Sequence, residues 1–102
     1  ELGYLFADAV KSICKESNVP LEDLSFIASH GQTIFHIPKA YDDYVPSTLQ
    51  IGEAAIIANE CKTDVISNFR VMDMAVGGEG APLVPYSETL LYGEEHQAVA
   101  LQ

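Results

Sequence analysis

Apolar residues recur at helical spacing from the first turn of the chain. Leu2, Leu5, Phe6, Ala9, Val10, Ile13 and Cys14 follow an i, i+3, i+4, i+7 rule, which predicts an amphipathic helix with Lys11, Lys15 and Glu16 outside. Asn18 and Pro20 end it. Residues 24–29 (LSFIAS) are short, apolar and bounded by polar residues, the pattern of a buried strand, and His30-Gly31 breaks it. Residues 38–46, proline at both ends with Asp42-Asp43 inside, read as a surface loop whose acids are solvated rather than metal-binding. Gly52 and Glu53 then open a second helix, residues 54–61, apolar on most sides. Residues 65–69 (VISNF) read as a second strand, and Gly77, Gly78 and Gly80 as a glycine-rich loop. A proline-started helix over 84–92 and a strand over 96–102 complete the pattern. Alternation of this kind predicts an α/β fold with mostly parallel strands and helices packed on the sheet. In such sheets ligands gather at the carboxyl ends of strands, where both unusual polar stretches, 30–33 and 70–80, fall.

Composition narrows the chemistry. The chain has 102 residues, 48% of them apolar, and a formal charge of −10 with 5 basic residues. That balance argues against nucleic acid or an anionic membrane as partner. Any phosphate would have to be met by backbone amides, a helix N-terminus or a metal. Cys14 and Cys61 lie in apolar helical segments without ligand spacing and read as buried free thiols of a reducing cytoplasm. No apolar run approaches the ~20 residues that span a bilayer, and the first residues lack a signal-peptide pattern. The chain starts at Glu1 inside a helical pattern and ends in an apolar run, so both ends read as cut from a longer protein.

Three stretches could carry chemistry. Ser29-His30-Gly31-Gln32-Thr33 sets four hydrogen-bonding side chains around a glycine at a strand tip, which suits a polyhydroxylated ligand. A polar turn satisfying its own backbone explains the same residues. Ser47-Thr48-Leu49-Gln50-Ile51-Gly52 precedes an apolar helix, so Ser47 or Thr48 could cap it, while Gln50 is harder to explain by capping alone. Residues 69–85 (FRVMDMAVGGEGAPLVP) put Arg70 and Asp73 three apart before the glycines. An aspartate kept ionised beside a guanidinium is fit for general-base work; a surface Arg–Asp pair beside a loop is the plainer account. With no Lys-Ser/Thr following, the loop is not a P-loop. His36 and His96 stand alone and read as surface or core histidines.

Taken in order, SHGQT, STLQIG and FRxxDxAxGGxGAPLVP resemble the anhydro-N-acetylmuramic acid kinase family over residues 24–86. The resemblance implies a cytoplasmic, ATP- and Mg²⁺-dependent enzyme of peptidoglycan recycling. It would hydrolyse the 1,6-anhydro bridge of the sugar and phosphorylate the released O6, and the parent could be a homodimer. It implies Asp73 as general base for the attacking water, Arg70 orienting Asp73 or the sugar, and His30, Gly31, Gln32, Thr33 and Gln50 lining the sugar pocket. Gly77, Gly78 and Gly80 would wall the cleft near sugar or phosphate. Val76 and Glu79 stand where the family more often has a small residue and a glutamine, which counts against phosphate contact by Glu79. The implied fold is a ribonuclease H-like, actin-like ATPase domain, with residues 1–93 the latter part of the N-terminal half and 94–102 a strand leading into the second half. The main ATP loop would lie outside these residues, leaving the isolated chain inactive. Two rivals stand beside this reading: a non-catalytic sugar- or metabolite-binding α/β domain, and another sugar kinase of the actin-like fold.

Overall fold

The computed structural model describes residues 1–40, 42–81 and 90. The first helix, α1 (Leu2–Glu16), forms where the apolar periodicity placed it, and Asn18 turns out of it at φ 56°. Its inward face is Gly3, Ala7 and Cys14 with Phe6 and Val10 beside them, whereas Leu5 and Ile13 are exposed. Gly3 sits on that face because a β-carbon there would lie 3.2 Å from both the Glu53 carbonyl and Ile56 Cβ of the second helix. The helices therefore cross closely near their N-termini. Lys11, expected outside, reaches across the same seam to Glu60 at 3.1 Å.

After a single 3-10 turn at Leu21–Asp23, the 24–29 strand shrinks to β1 (Ile27–Ala28). It pairs in parallel with β4 (Val65–Ile66), the corresponding remnant of the 65–69 strand. Between them lies an antiparallel hairpin absent from the sequence expectation, β2 (Gln32–Ile37) and β3 (Ser47–Ile51). Ser47 and Thr48 are thus strand residues and cap nothing. Helix α2 (Ala54–Cys61) has the predicted bounds, but its N-cap is Glu53 and no side chain caps it. Phe69 ends no strand; it opens a short helix, α3 (Phe69–Ala75), after Asn68 in the left-handed region at φ 62°.

The α/β expectation holds, with a parallel pair flanked by helices and α2 packed between α1 and β4. The core is Ala7, Ile57 and Cys61, each 1% exposed, with Phe6, Val10, Leu21, Ile27 and Val65 around them. Burying several apolar side chains on one small helix is what fixes α2 against the parallel strands. Burial also pushes the Cys61 thiol above its ordinary value. Both cysteines are free. No described helix is long and apolar enough to cross a membrane. The helix expected over 84–92, apart from helical Leu90, and the strand over 96–102 lie outside the described residues.

Candidate functional site

Two of the three polar stretches meet. A cleft of about 410 Å³ is lined by His30 and Gly31 from the β1–β2 turn, by residues 49–52 of β3 and its end, by the first residues of α2, and by Ser67 and Asn68 after β4. Gly31 makes the meeting possible. At φ 77° it turns the chain where a β-carbon would lie only 2.7 Å from the Ile51 carbonyl. Gly52, at φ 107°, similarly leaves room for the Phe6 ring, which a β-carbon would overlap.

The polar groups at this cleft have assignable roles. His30 Nδ1 lies 3.0 Å from the Gly31 carbonyl. A carbonyl only accepts, so Nδ1 carries the proton and Nε2 of the neutral ring remains an acceptor. Gln50 donates its amide nitrogen to Thr48 Oγ1 at 2.7 Å and, more weakly, to Thr33 Oγ1 at 3.4 Å. Its amide protons are thus spent within the hairpin, and its carbonyl oxygen is left for a ligand. Among the described residues no Lys or Arg lines the cleft, and the one charged residue lining it is Glu53. A site of acceptors and amides without a cation suits hydroxyl groups better than phosphate.

Gln32 stands apart from this set: it is exposed on β2 and donates only to the Thr33 carbonyl at 3.4 Å. Thr33 belongs to the hairpin and touches the cleft only through Gln50. Sequence reading passed over Thr48 and Asn68. Thr48 looked like a cap, and Asn68 like a strand residue, although asparagine is among the residues that tolerate the left-handed turn it makes here.

Asp73 forms a second group with the glycines. Its carboxylate Oδ2 accepts the Gly80 amide at 2.8 Å, and its backbone carbonyl accepts the Gly78 amide at 2.8 Å. Gly78 is required for space, since a β-carbon there would run into the Asp73 carboxylate. Gly80, buried and at φ 79°, is wedged where a β-carbon would lie 2.9 Å from Met74 Cγ and 3.0 Å from His36 Cε1. Gly77, at φ 95°, meets nothing within 4 Å and serves the turn alone. The glycine run thus folds back over α3 and holds the aspartate.

The expected Arg70–Asp73 pair is not formed. Among the described residues the ion pairs are Lys11–Glu60 at 3.1 Å and Lys39–Glu79 at 3.2 Å. Arg70 and Asp73 both lie on the seven-residue α3, where a backbone amide rather than a guanidinium holds the carboxylate. Asp73 also lies outside the cleft lining. It is five residues past Asn68, about 7 Å along a helix axis. Glu79 pairs with Lys39 on the surface at 3.2 Å.

A parallel strand pair flanked by helices, with a polar cleft at its strand ends and a glycine-held aspartate on the following helix, is an α/β unit consistent with the actin-like ATPase fold of sugar kinases. Residues 1–102 match the anhydro-N-acetylmuramic acid kinase family over their whole length, and the chain belongs to that family. A Clostridioides difficile (strain 630) protein named anhydro-N-acetylmuramic acid kinase is 66% identical over 102 residues, covering 100% of this chain and 27% of that protein. A protein of the same name from Bacillus cereus (strain AH820) is 61% identical over the same length, again 27% of its own chain. The chain therefore spans about a quarter of the length of these relatives.

Proposed function

We propose that the full-length protein is an ATP- and Mg²⁺-dependent kinase that opens 1,6-anhydro-N-acetylmuramic acid with water and phosphorylates its O6, giving N-acetylmuramic acid 6-phosphate and ADP in cytoplasmic cell-wall recycling. The observation that carries this reading is the convergence of His30, Gly31 and Gln50 on one cation-free cleft, with Asp73 held by the Gly80 amide one short helix away. A non-catalytic binding domain would use the cleft but gives no reason to fix an aspartate outside it.

In this reading the sugar lies in the cleft and extends toward α3. His30 Nε2 and the Gln50 carbonyl oxygen accept from its hydroxyls, while Arg70, free of Asp73, faces the sugar instead. Asp73 Oδ1, not used by Gly80, takes the proton of the attacking water. Water oxygen bonds to the anomeric carbon as the bond from that carbon to O6 breaks. The Gly80 amide keeps the carboxylate pointed at one place, which is where a base contributes most. Gly77, Gly78 and Gly80 form the wall behind it, and Gln32 and Thr33 serve through the hairpin rather than by a direct contact fixed here.

ATP with Mg²⁺ would supply the phosphoryl group. Among the described residues no three His, Cys, Asp or Glu side chains cluster as a ready-made metal cage. The nucleotide side of the site is assigned to the rest of the full-length protein, of which the relatives' greater length is the sign. A coupled ADP-release assay on the full-length protein tests the reading. ADP formation that depends on the anhydro sugar supports it, and sugar-independent or absent turnover refutes it.

A further inference from the structure

His36 belongs to none of the three motifs, yet it stands at the joint between the hairpin and the glycine run. Its Nδ1 lies 3.1 Å from Thr48 Oγ1. The Thr48 hydroxyl oxygen lies 3.4 Å from the Phe35 carbonyl oxygen, and it accepts from Gln50 at 2.7 Å. His36 Nδ1 and the Thr48 hydroxyl thus share one hydrogen bond, whose direction follows the histidine tautomer. His36 Nε2 is buried with no hydrogen-bond partner among the described residues. Buried ring nitrogens are seldom left so, and the ring is kept there by what it packs on. Its Cε1 edge closes on Gly80, within 3.0 Å of where a β-carbon would sit, opposite Met74. Gly80 in turn donates the 2.8 Å amide bond to Asp73 Oδ2.

We propose that His36 is a positioning residue for Asp73, acting through Gly80. The imidazole is the wall that keeps the Gly80 amide aimed at the carboxylate. Thr48 keeps the imidazole in that rotamer, and Gln50 ties Thr48 to the sugar cleft. The aspartate's geometry thus depends on the hairpin, an element remote from it in sequence. This rests on Asp73 being the base, as argued above.

The test uses the full-length protein with steady-state ADP release, and circular dichroism to verify folding. His36→Ala should lower kcat about 10- to 100-fold while KM for the sugar moves by less than about threefold, because a misplaced base acts after binding. Thr48→Val should lower kcat in the same direction, and Thr48→Ser, which keeps the hydroxyl, should restore it. At saturating sugar the double variant His36→Ala/Thr48→Val should show a kcat no lower than His36→Ala alone, since Thr48 reaches Asp73 through His36 while its bond from Gln50 bears on sugar binding and KM. A folded His36→Ala enzyme with wild-type kcat, a loss confined to KM, or multiplying losses in the double variant would each overturn the proposal. Where His36→Ala does not fold, the Thr48 pair decides: wild-type kcat in Thr48→Val overturns it, and a loss rescued by serine supports it. Asp73→Asn separates the two claims. If that variant stays active, the base assignment fails; if it is dead while the His36 and Thr48 variants are unaffected, only the positioning fails.

Discussion

Replacing Gly78 by alanine places a methyl carbon where the Asp73 carboxylate now lies. The new carbon would be 2.5 Å from the carboxyl carbon and 2.7 Å from Oδ1, and closer still to Oδ2. Ordinary contact begins near 3.4 Å, so the carboxyl carbon must retreat by about 1 Å. Gly78 is not among the glycines in the left-handed region, so alanine meets no backbone penalty there. The lower entropy of an unfolded alanine even favours the variant by about 0.4–1 kcal/mol, against the loss of one exchangeable hydrogen bond from Gly80. Stability should therefore change by no more than about 1 kcal/mol in either direction. Catalysis should not be spared. A displacement of about 1 Å at a reacting group can cost on the order of 100-fold, about 2.7 kcal/mol of barrier. Steady-state kinetics on the full-length Gly78→Ala protein, with a thermal melt beside it, should show kcat lowered about that much at a nearly unchanged midpoint. A folded variant whose kcat lies within about threefold of wild type would refute the argument that the glycine run exists to seat Asp73.

Two further outcomes follow from the core. Ile57→Ala removes the largest fully buried apolar side chain at the α1–α2–sheet junction and should destabilise by about 2–5 kcal/mol in urea unfolding; a loss under about 1 kcal/mol would mean the junction collapses around the gap. Cys61, whose thiol is pushed up by burial, contributes stability that is complete below its ordinary value of 9.0 and erodes as pH rises toward the folded value, because the unfolded thiol ionises first. Thermal midpoints between pH 8 and 10 should fall less steeply in Cys61→Ala than in wild type, and equal slopes would exclude the thiol as a source.

How much was legible in the chain follows from what each signal measures. Helical periodicity located α1 and α2 because both bury one side against a partner, and α2 begins and ends where the apolar run does. It placed Phe6, Val10 and Cys14 on the buried face of α1 but also Leu5 and Ile13, which are exposed, because small Gly3 and Ala7 permit the close helix crossing instead. The hairpin was hidden for another reason. Gln32, Thr33, Ser47, Thr48 and Gln50 were weighed as ligand or cap residues, and a shift in pairing between Thr33 and Phe35 breaks the strict alternation that marks a strand. The pairing of distant segments carries no local signature. The candidate site was legible as motifs, while its arrangement was not. An i, i+3 spacing suggested an Arg70–Asp73 pair, whereas the fold gives the carboxylate to the Gly80 amide. His36 read as an isolated histidine because its partners, Thr48 and Gly80, lie 12 and 44 positions away in sequence.

The measurement that bears most directly on the central claim is sugar-dependent ADP release by full-length Asp73→Asn beside wild type. Asparagine fills the same space and can still accept from Gly80, so the fold and sugar binding should persist. On the proposal that the lost group is a general base, kcat should fall at least about 100-fold. Near-wild-type kcat in a folded Asp73→Asn protein would contradict the account, because no carboxylate would then be needed to open the anhydro ring.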